Sequence, residues 1–227
     1  MPRPKDNCAH AAASSAPGAA RSAPGAIRSK RLGLADYLPT YVAMRRFTEA
    51  RDAETPDELW ILEHPPVYTA GMAARSEHFP RRPGIPLART DRGGQITYHG
   101  PGQAVVYTLV DLARRGLGVR AMVRLIEQAV IDELDARGVR SELRRGAPGV
   151  YVEGAKIAAL GLRVRRGCCY HGVALNVDMD LAPFSEIDPC GYPGLAVTQT
   201  STLAVKAGVE ELGDSLARRV TDLLEKP

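Results

Sequence analysis

The chain has 227 residues, 44% of them hydrophobic, and a net charge of +4 at pH 7. This length and apolar content suit one α/β domain with a sizeable core. Residues 1–33 carry a net charge of +5, which leaves −1 for the remainder, so the basic isoelectric point is no argument for binding nucleic acid. No apolar run approaches the length that crosses a bilayer, which argues against a membrane protein.

Four cysteines favour a reducing, cytosol-like compartment, because they form neither a disulfide framework nor a CxxC metal pair. Cys168 and Cys169 are adjacent in a predicted strand, and we interpret them as packing residues. The spacing of Cys168, Cys169, His171 and Cys190 fits no standard zinc site, so no metal is expected.

Residues 1–32 consist mainly of Ala, Ser, Pro, Gly and basic residues. They contain too little apolar surface to offset the entropy lost on ordering, so this composition predicts a disordered tail. The tail is typical of an extended bacterial N-terminus, which we favour, or of an organelle transit peptide. We expect residues 33–227 to form a single folded domain.

Three segments have the apolar spacing of amphipathic helices, namely 36–52, 119–137 and 208–224. Pro39 is tolerated in the first turn of the first helix, and Gly138 is expected to cap the second.

Strands are predicted over residues 58–63 and 103–109 and in a later meander. The meander has strands at 149–152, 156–164 and 168–178, with turns at Glu153-Gly154 and Arg165-Arg166-Gly167. Simple alternation in the middle strand places Ile157, Ala159 and Gly161 on one face, and on the other Lys156, Ala158, Leu160 and Leu162.

The stretch from Arg92 to Gln103 holds four glycines, a proline, an arginine and a histidine in twelve residues. Glycine lets backbone N–H groups approach a ligand closely, and arginine offers a fork of donors. This pattern predicts either a binding loop or a plain pair of turns around a short strand at Gln95–Tyr98. His171, further along, could orient a substrate or bond a core carbonyl, and the sequence leaves both open.

Lys156 and Cys190 are the candidates for chemistry. Cys190 lies between Pro189 and Gly191, so its thiol is on a rigid loop. A nearby cation lowers a thiol pKa from about 8.5, so a lysine–cysteine pair can supply a nucleophile without histidine. The alternatives are a solvated lysine beside Glu153 and an inert turn cysteine.

Together these segments occur in the order found in one known family. The chain closely resembles the octanoyltransferases of lipoate biosynthesis, also called lipoyl(octanoyl) transferases, over about residues 33–225. The likeness rests on the segments Glu63-His64-Pro65-Pro66-Val67-Tyr68-Thr69, Arg92 to Gln103, Lys156-Ile157-Ala158-Ala159-Leu160-Gly161-Leu162, Tyr170-His171-Gly172-Val173-Ala174-Leu175-Asn176-Val177 and Pro189-Cys190-Gly191.

The resemblance implies a biotin/lipoate protein ligase-like fold, an α/β (α+β) domain with a mixed, largely antiparallel sheet flanked by helices. It implies a cytoplasmic enzyme that needs no cofactor and takes an octanoyl group from octanoyl-acyl carrier protein. The acceptors are lysines of lipoyl domains, in 2-oxoacid dehydrogenases and in the glycine cleavage H protein. We expect a monomer.

The resemblance also assigns site residues. Cys190 is the nucleophile that holds the acyl group as a thioester, and Lys156 lowers the pKa of that thiol and acts as general acid and base. Asp188 departs from the family, where asparagine is more usual, and is expected to raise the Cys190 pKa slightly. The implied substrate-binding residues are Arg92, Gly93, Gly94, Gln95, Ile96, Thr97, Tyr98, His99, Ala159, Leu160, Gly161, Gly172, Val173 and Ala174.

Two other functions fit parts of the pattern. An ATP-dependent lipoate or biotin ligase would share the fold, but such enzymes activate a free acid and need no cysteine. A non-catalytic protein that binds acyl carriers is the alternative outside enzymes. The Pro-Cys-Gly loop together with Lys156 favours the acyltransferase.

Overall fold

The computed structural model describes residues 25–81, 84–188 and 194–226. Residues 1–24 of the predicted tail lie outside the described residues, as does Cys190. The helices are α1 (Tyr37–Ala50), α2 (Val119–Asp135) and α3 (Val209–Glu225). The strands are β1 (Arg28–Leu34), β2 (Glu58–Glu63), β3 (Val67–Ala70), β4 (Leu87–Arg89), β5 (Ile96–His99), β6 (Gln103–Asp111), β7 (Glu142–Arg144), β8 (Ala147–Val152), β9 (Ala155–Arg165) and β10 (Cys168–Asn176).

All three predicted helices and the predicted meander are confirmed to within a few residues at their ends. Gly138 follows α2 with a φ of 76°, the left-handed conformation that a helix cap needs. At the turn between β8 and β9, Glu153 and Gly154 both have positive φ, and Arg166 and Gly167 repeat this between β9 and β10. Such turns match the twist of the strands that they join, which fixes the register of the meander.

The larger sheet has seven strands in the order β1-β2-β6-β10-β9-β8-β7. Its β1–β2 pair is parallel and its other pairs are antiparallel, which confirms a mixed, largely antiparallel sheet. Helices α2 and α3 cover one face through Met122, Ile126 and Leu216. Helix α1 covers the other face, where Met44 packs with Tyr107. Among the described residues, no helix is long and apolar enough to cross a membrane.

A smaller sheet has three strands in the order β4-β3-β5. Of these three strands, only β5 was predicted from the sequence. Tyr68, Ile96 and Tyr98 from this sheet form a second core with Phe184 of the 3-10 helix Ala182–Glu186. This core joins β3 and β5 to the segment that follows β10.

Strand β1 corrects the predicted boundary of the disordered tail, because residues 28–32 belong to the sheet. Every side chain of β1 is exposed, so no buried alternation marks the strand in the sequence. It is held instead by parallel backbone pairing with β2 and by ion pairs. Lys30 Nζ lies 2.7 Å from Glu58 Oε1, and Arg31 pairs with Asp214 at 2.6 Å.

A β-bulge corrects the predicted faces of β9. Val150 pairs with Ala158 while Tyr151 pairs with Lys156, so Ile157 is an extra residue in β9. The alternation therefore shifts by one position across Ile157. Ile157 and Ala158 lie in the core beneath the helices, whereas Lys156 is on the cavity wall with Ala159 and Gly161.

Candidate active site

A cavity lies where the smaller sheet and the loop after β4 meet β6, β9 and β10. Predicted site residues on its wall are Lys156 and, from the implied substrate-binding set, Arg92, Gly94, Gln95, Ile96, Thr97, His99, Ala159, Leu160, Gly161, Gly172, Val173 and Ala174. Segments far apart in the chain thus form one wall. The remaining lining residues are Tyr37, Val105, Tyr107, His171, Asn176, Phe184 and Val197.

Two predicted residues, Gly93 and Tyr98, are not on this wall. The Gly93 N–H donates to the Leu162 carbonyl at 2.9 Å, which docks the loop onto β9. A Cβ on Gly161 would lie 2.8 Å from the Gly93 carbonyl oxygen, so this close approach requires a glycine in β9. Tyr98 instead packs its ring against Tyr68 and Phe184 in the smaller core.

Lys156 is buried, with 4% of its surface exposed. Its Nζ donates to the Pro148 carbonyl at 3.0 Å and lies 5.1 Å from the centroid of the Tyr151 ring. The alternative of a solvated lysine beside Glu153 is therefore wrong. A buried amine beside an apolar wall is suited to exchanging protons with a reacting group.

Segments on both sides of the predicted Cys190 loop reach the same cavity. Phe184 precedes the loop and Val197 follows it, and both line the wall. The backbone of Lys156 is tied to the second segment, because its N–H donates to the Ala196 carbonyl at 2.8 Å and its carbonyl accepts from the Thr198 N–H at 3.0 Å. This pairing holds the chain after the loop beside the lysine.

Asp188, the departure from the family pattern, is held by two basic side chains. His78 Nδ1 lies 3.1 Å from Asp188 Oδ2, and Arg81 Nη2 donates to Oδ1 at 2.8 Å. The hydrogen bond from His78, and then that from Arg81, lower the pKa of the Asp188 carboxyl. This pairing offsets its negative charge, so we expect only a small effect on the Cys190 pKa, which stays a prediction.

Arg92 supports the loop that the sequence singled out. Its Nη2 donates to the Thr69 carbonyl at 2.6 Å and its Nε donates to Thr69 Oγ1 at 3.2 Å. Its Nη1 donates to the Gly93 carbonyl at 2.9 Å. These bonds fix a positive charge at the wall of the cavity and tie the loop to β3.

His99 is buried and held in one tautomer by its neighbours. Gln103 Nε2 donates to Asn176 Oδ1 at 2.9 Å, so Gln103 Oε1 accepts from the His99 Nδ1–H at 2.7 Å. Nε2 of His99 is then an acceptor, 3.4 Å from Thr69 Oγ1. Burial lowers the pKa of His99 to about 3, so this ring is neutral at physiological pH.

His64 and Tyr107 form a second neutral pair that the sequence analysis did not assign to the site. His64 Nδ1 donates to the Ala35 carbonyl at 2.5 Å, so its Nε2 accepts from the Tyr107 hydroxyl at 2.7 Å. Burial lowers the pKa of His64 and raises that of Tyr107. His64 belongs to one of the segments on which the family resemblance rests, but no role in the site was predicted for it.

His171 lies at the cavity wall, and its side chain bonds a carboxylate rather than a core carbonyl; a role in orienting a substrate stays a prediction. Its Nε2 donates to Asp91 Oδ1 at 3.1 Å, and Tyr170 donates to the other oxygen of Asp91. Burial opposes ionisation of Asp91, but the hydrogen bonds from His171, Tyr170 and Tyr41 outweigh it and lower the Asp91 pKa. His171 has a φ of 63°, unusual for a residue within a strand.

Cys168 and Cys169 are buried in β10, as expected for packing residues. Burial raises the pKa of Cys169 to about 12, which keeps this thiol protonated and unreactive. Within the ranges that the structure describes, no three or more His, Cys, Asp or Glu side chains are grouped as a metal site.

Residues 36–221 match the family model described as the lipoyl protein ligase A/B catalytic domain. The chain belongs to this family. It is 60% identical over 195 residues to the octanoyltransferase of Aromatoleum aromaticum, a match that covers 86% of this chain and 84% of that protein. The predicted membership of the octanoyltransferases is thereby confirmed, as is the prediction of an enzyme.

The lipoyl protein ligase A/B fold is also shared with solved structures. A bi-partite lipoate protein ligase from Thermoplasma acidophilum superposes with a TM-score of 0.68 at 18% identity, over 89% of this chain and 84% of that chain. The biotin protein ligase of Aquifex aeolicus in complex with biotin and ATP gives 0.55 at 10% identity, over 88% and 71%. These likenesses confirm the predicted biotin/lipoate ligase-like fold.

Proposed function

We propose that this chain transfers an octanoyl group from octanoyl-acyl carrier protein to a lysine of a lipoyl domain through a thioester on Cys190. The observation that carries the proposal is the placement of Lys156. It is buried at the wall of an apolar cavity that segments on both sides of the Cys190 loop also line. A relative at 60% identity is named octanoyltransferase.

The first half of the reaction moves the acyl group onto the enzyme. The Cys190 thiolate attacks the thioester carbonyl, a bond forms from the carbonyl carbon to Cys190, and the bond to the carrier sulfur breaks. Lys156 gives its proton to the departing carrier thiolate. Exchange of one thioester for another is nearly thermoneutral, so the step needs no ATP.

The second half moves the acyl group to the acceptor. The amine of the acceptor lysine attacks the Cys190 thioester and passes a proton to Lys156. An amide bond forms, the Cys190 thiolate leaves, and Lys156 is again charged. The pair therefore returns to its starting protonation after each turnover.

Small residues give the eight-carbon chain its space. Ala159 and Gly161 of β9 and Gly172 and Ala174 of β10 face each other across paired strands and line the cavity. Burial of the chain there contributes roughly 0.8 kcal/mol per methylene. Ala158 is also a small residue of β9, but its side chain lies in the main core and does not line the cavity.

Acceptors of this kind are the lipoyl domains of 2-oxoacid dehydrogenases and the glycine cleavage H protein, and we propose these as partners. We further propose that the enzyme acts in the cytoplasm as a monomer. The catalytic unit corresponds to the predicted domain 33–227, extended at its start by β1.

Mass spectrometry after mixing the protein with octanoyl-acyl carrier protein tests the proposal. We expect a gain equal to one octanoyl group without nucleotide, lost in Cys190→Ala and kept in the matched control Cys168→Ala. Addition of an apo lipoyl domain should remove the adduct and octanoylate the domain. Transfer only from free octanoic acid with ATP would indicate a ligase, and no adduct with no transfer would indicate a binding protein.

A further inference from the structure

The peptide unit between Pro148 and Gly149 in β8 lies between two buried ionisable side chains. Its carbonyl accepts from Lys156 Nζ at 3.0 Å. Its N–H donates to Glu127 Oε1 of α2 at 3.1 Å. Glu127 is only 7% exposed and Lys156 only 4%. One peptide thus connects a carboxylate of the helix layer to the lysine of the cavity.

We propose that Glu127 is a positioning residue that acts through the Pro148–Gly149 peptide to hold Lys156 in its ammonium form, the form in which Lys156 serves the Cys190 thiol. The C=O and N–H of a trans peptide point in opposite directions. A carboxylate that accepts from the N–H polarises the unit, which makes the carbonyl oxygen more negative where it meets Lys156. This inference rests on the proposed function, because the ammonium matters only if it serves the Cys190 thiol.

A buried glutamate on the core face of a helix needs such an explanation, since an apolar side chain would normally occupy that position. The other buried acid of α2, Glu133, has an evident structural role. It accepts from Arg137, Ser215 and Arg219 and ties α2 to α3. Glu127 instead bonds the backbone of β8, at the peptide whose carbonyl accepts from Lys156 Nζ.

The titratable groups around Lys156 do not obscure the effect of the Glu127 charge on the Cys190 pKa. Tyr151 is the neighbouring titratable group on β8, and Arg92, His99 and His171 line the same cavity from other elements. His99 and His171 have pKa values lowered by burial, so they stay neutral near pH 7. The charge of Glu127 can therefore be changed without titrating these histidines.

The test is the pH profile of Cys190 alkylation by a neutral reagent, in the full chain without substrate. Glu127→Gln keeps an acceptor for the Gly149 N–H but removes the charge. We expect the apparent pKa of Cys190 to rise by about 0.5 to 1, with alkylation below that pKa slowed about 3- to 10-fold. In Glu127→Asp the apparent pKa of Cys190 should lie between the values for the wild type and for Glu127→Gln. This variant replaces Glu127→Gln in the test if Glu127→Gln fails to fold.

The matched control is Glu133→Gln, which removes a buried carboxylate six positions along the same helix. It should lower the melting temperature, because it breaks bonds to α3, and leave the alkylation profile in place. The reference is Lys156→Ala, which should raise the Cys190 pKa by more than Glu127→Gln does. In that background Glu127→Gln should add nothing, since it acts through Lys156.

Each result separates the two proposals. A profile unchanged by Glu127→Gln but shifted by Lys156→Ala overturns the role of Glu127 and leaves the lysine–cysteine pair intact. The role of Glu127 is also overturned if the Cys190 pKa shifts of Glu127→Gln and Lys156→Ala simply add in the double variant. A profile unchanged by Lys156→Ala overturns the pair itself, and the role of Glu127 with it.

Discussion

Gly149 occupies a position where no other residue fits without moving the site. Its φ is 132°, outside the range that side chains readily adopt. A Cβ there would lie 2.7 Å from the Ala158 carbonyl oxygen and 3.1 Å from Lys156 Nζ. The same residue donates to Glu127, so its backbone must stay in place for the lysine to keep its position.

We therefore expect Gly149→Ala to slow octanoyl transfer by about 100-fold, because a displacement of about 1 Å can cost that much. Gly146→Ala is the matched control. Gly146 also has a positive φ, 79°, but no atom lies within 4 Å of the Cβ position. Both variants should lose stability, measured by chemical denaturation. Only in Gly149→Ala should the transfer rate of the folded protein also fall. Equal rates in the two variants would contradict the steric argument.

Asp57 joins several elements at one end of the larger sheet. It is fully buried at the start of β2 and accepts from Arg51, Arg114 and Arg115. The Asp111 N–H at the end of β6 donates to it at 2.8 Å. Arg115 continues to the Leu224 carbonyl in α3. Removal of this carboxylate would leave three nearly buried guanidinium groups without their shared partner.

Asp57→Asn should lower the free energy of unfolding by about 3–5 kcal/mol at pH 7, as expected when one partner of a buried ion pair is removed. Burial raises the pKa of Asp57, but the Asp111 N–H and Arg115 outweigh it, so the net shift is downward. The stabilisation is therefore present above about pH 4 and is lost as pH falls through the folded-state pKa.

Urea titrations of the two proteins from pH 7 to pH 3 check this prediction. The gap between wild type and Asp57→Asn should narrow as the solution becomes acidic. Asp214→Asn, which breaks the exposed pair with Arg31, should change the free energy of unfolding far less than Asp57→Asn, because solvent screens the pair. A gap that does not depend on pH would show that charge is not the source of the stability.

At the scale of the whole molecule, β1 separates two possible starts of the folded unit. A chain that begins at residue 25 keeps β1, whereas one that begins at residue 35 leaves the edge of β2 unpaired. The longer chain should melt within about 2 °C of the full protein, and the shorter one about 5 °C or more below it. Calorimetry of both truncations decides this, and equal melting temperatures would favour the boundary that the composition indicated.

Much of this architecture follows from local patterns. The apolar spacing of Met122, Ile126 and Leu134 predicts α2, and the glycine-containing turns predict the meander. Each of these signals comes from residues that are only a few positions apart in the chain. Strand β1 has no such signal, since all its side chains face solvent. The bulge at Ile157 depends on which residues of β8 lie opposite, and a single strand does not encode its own register.

Some residues of the site could likewise be predicted from the sequence, and others could not. Lys156 and the glycine-rich loop after β4 could be predicted because their residue types are unusual for their surroundings. The partners that support them are distant in the chain: Glu127 lies 22 positions from Gly149, and Asp91 lies 80 from His171. Such pairs come together only in the folded protein, so no spacing in the sequence predicts them.

Strands β6 and β10 lie at the centre of the larger sheet, and every position of both is buried. Their paired residues are far apart in the chain, since Gln103 bonds Asn176 across 73 positions. Before this pairing forms, the ends of a long chain segment must be brought together, which costs conformational entropy. We therefore expect the pairing to be a slow step of folding. Residues of both strands line the cavity, so we expect the binding site to form only once this pairing is in place, and a partly folded chain to offer an acyl group no place to bind.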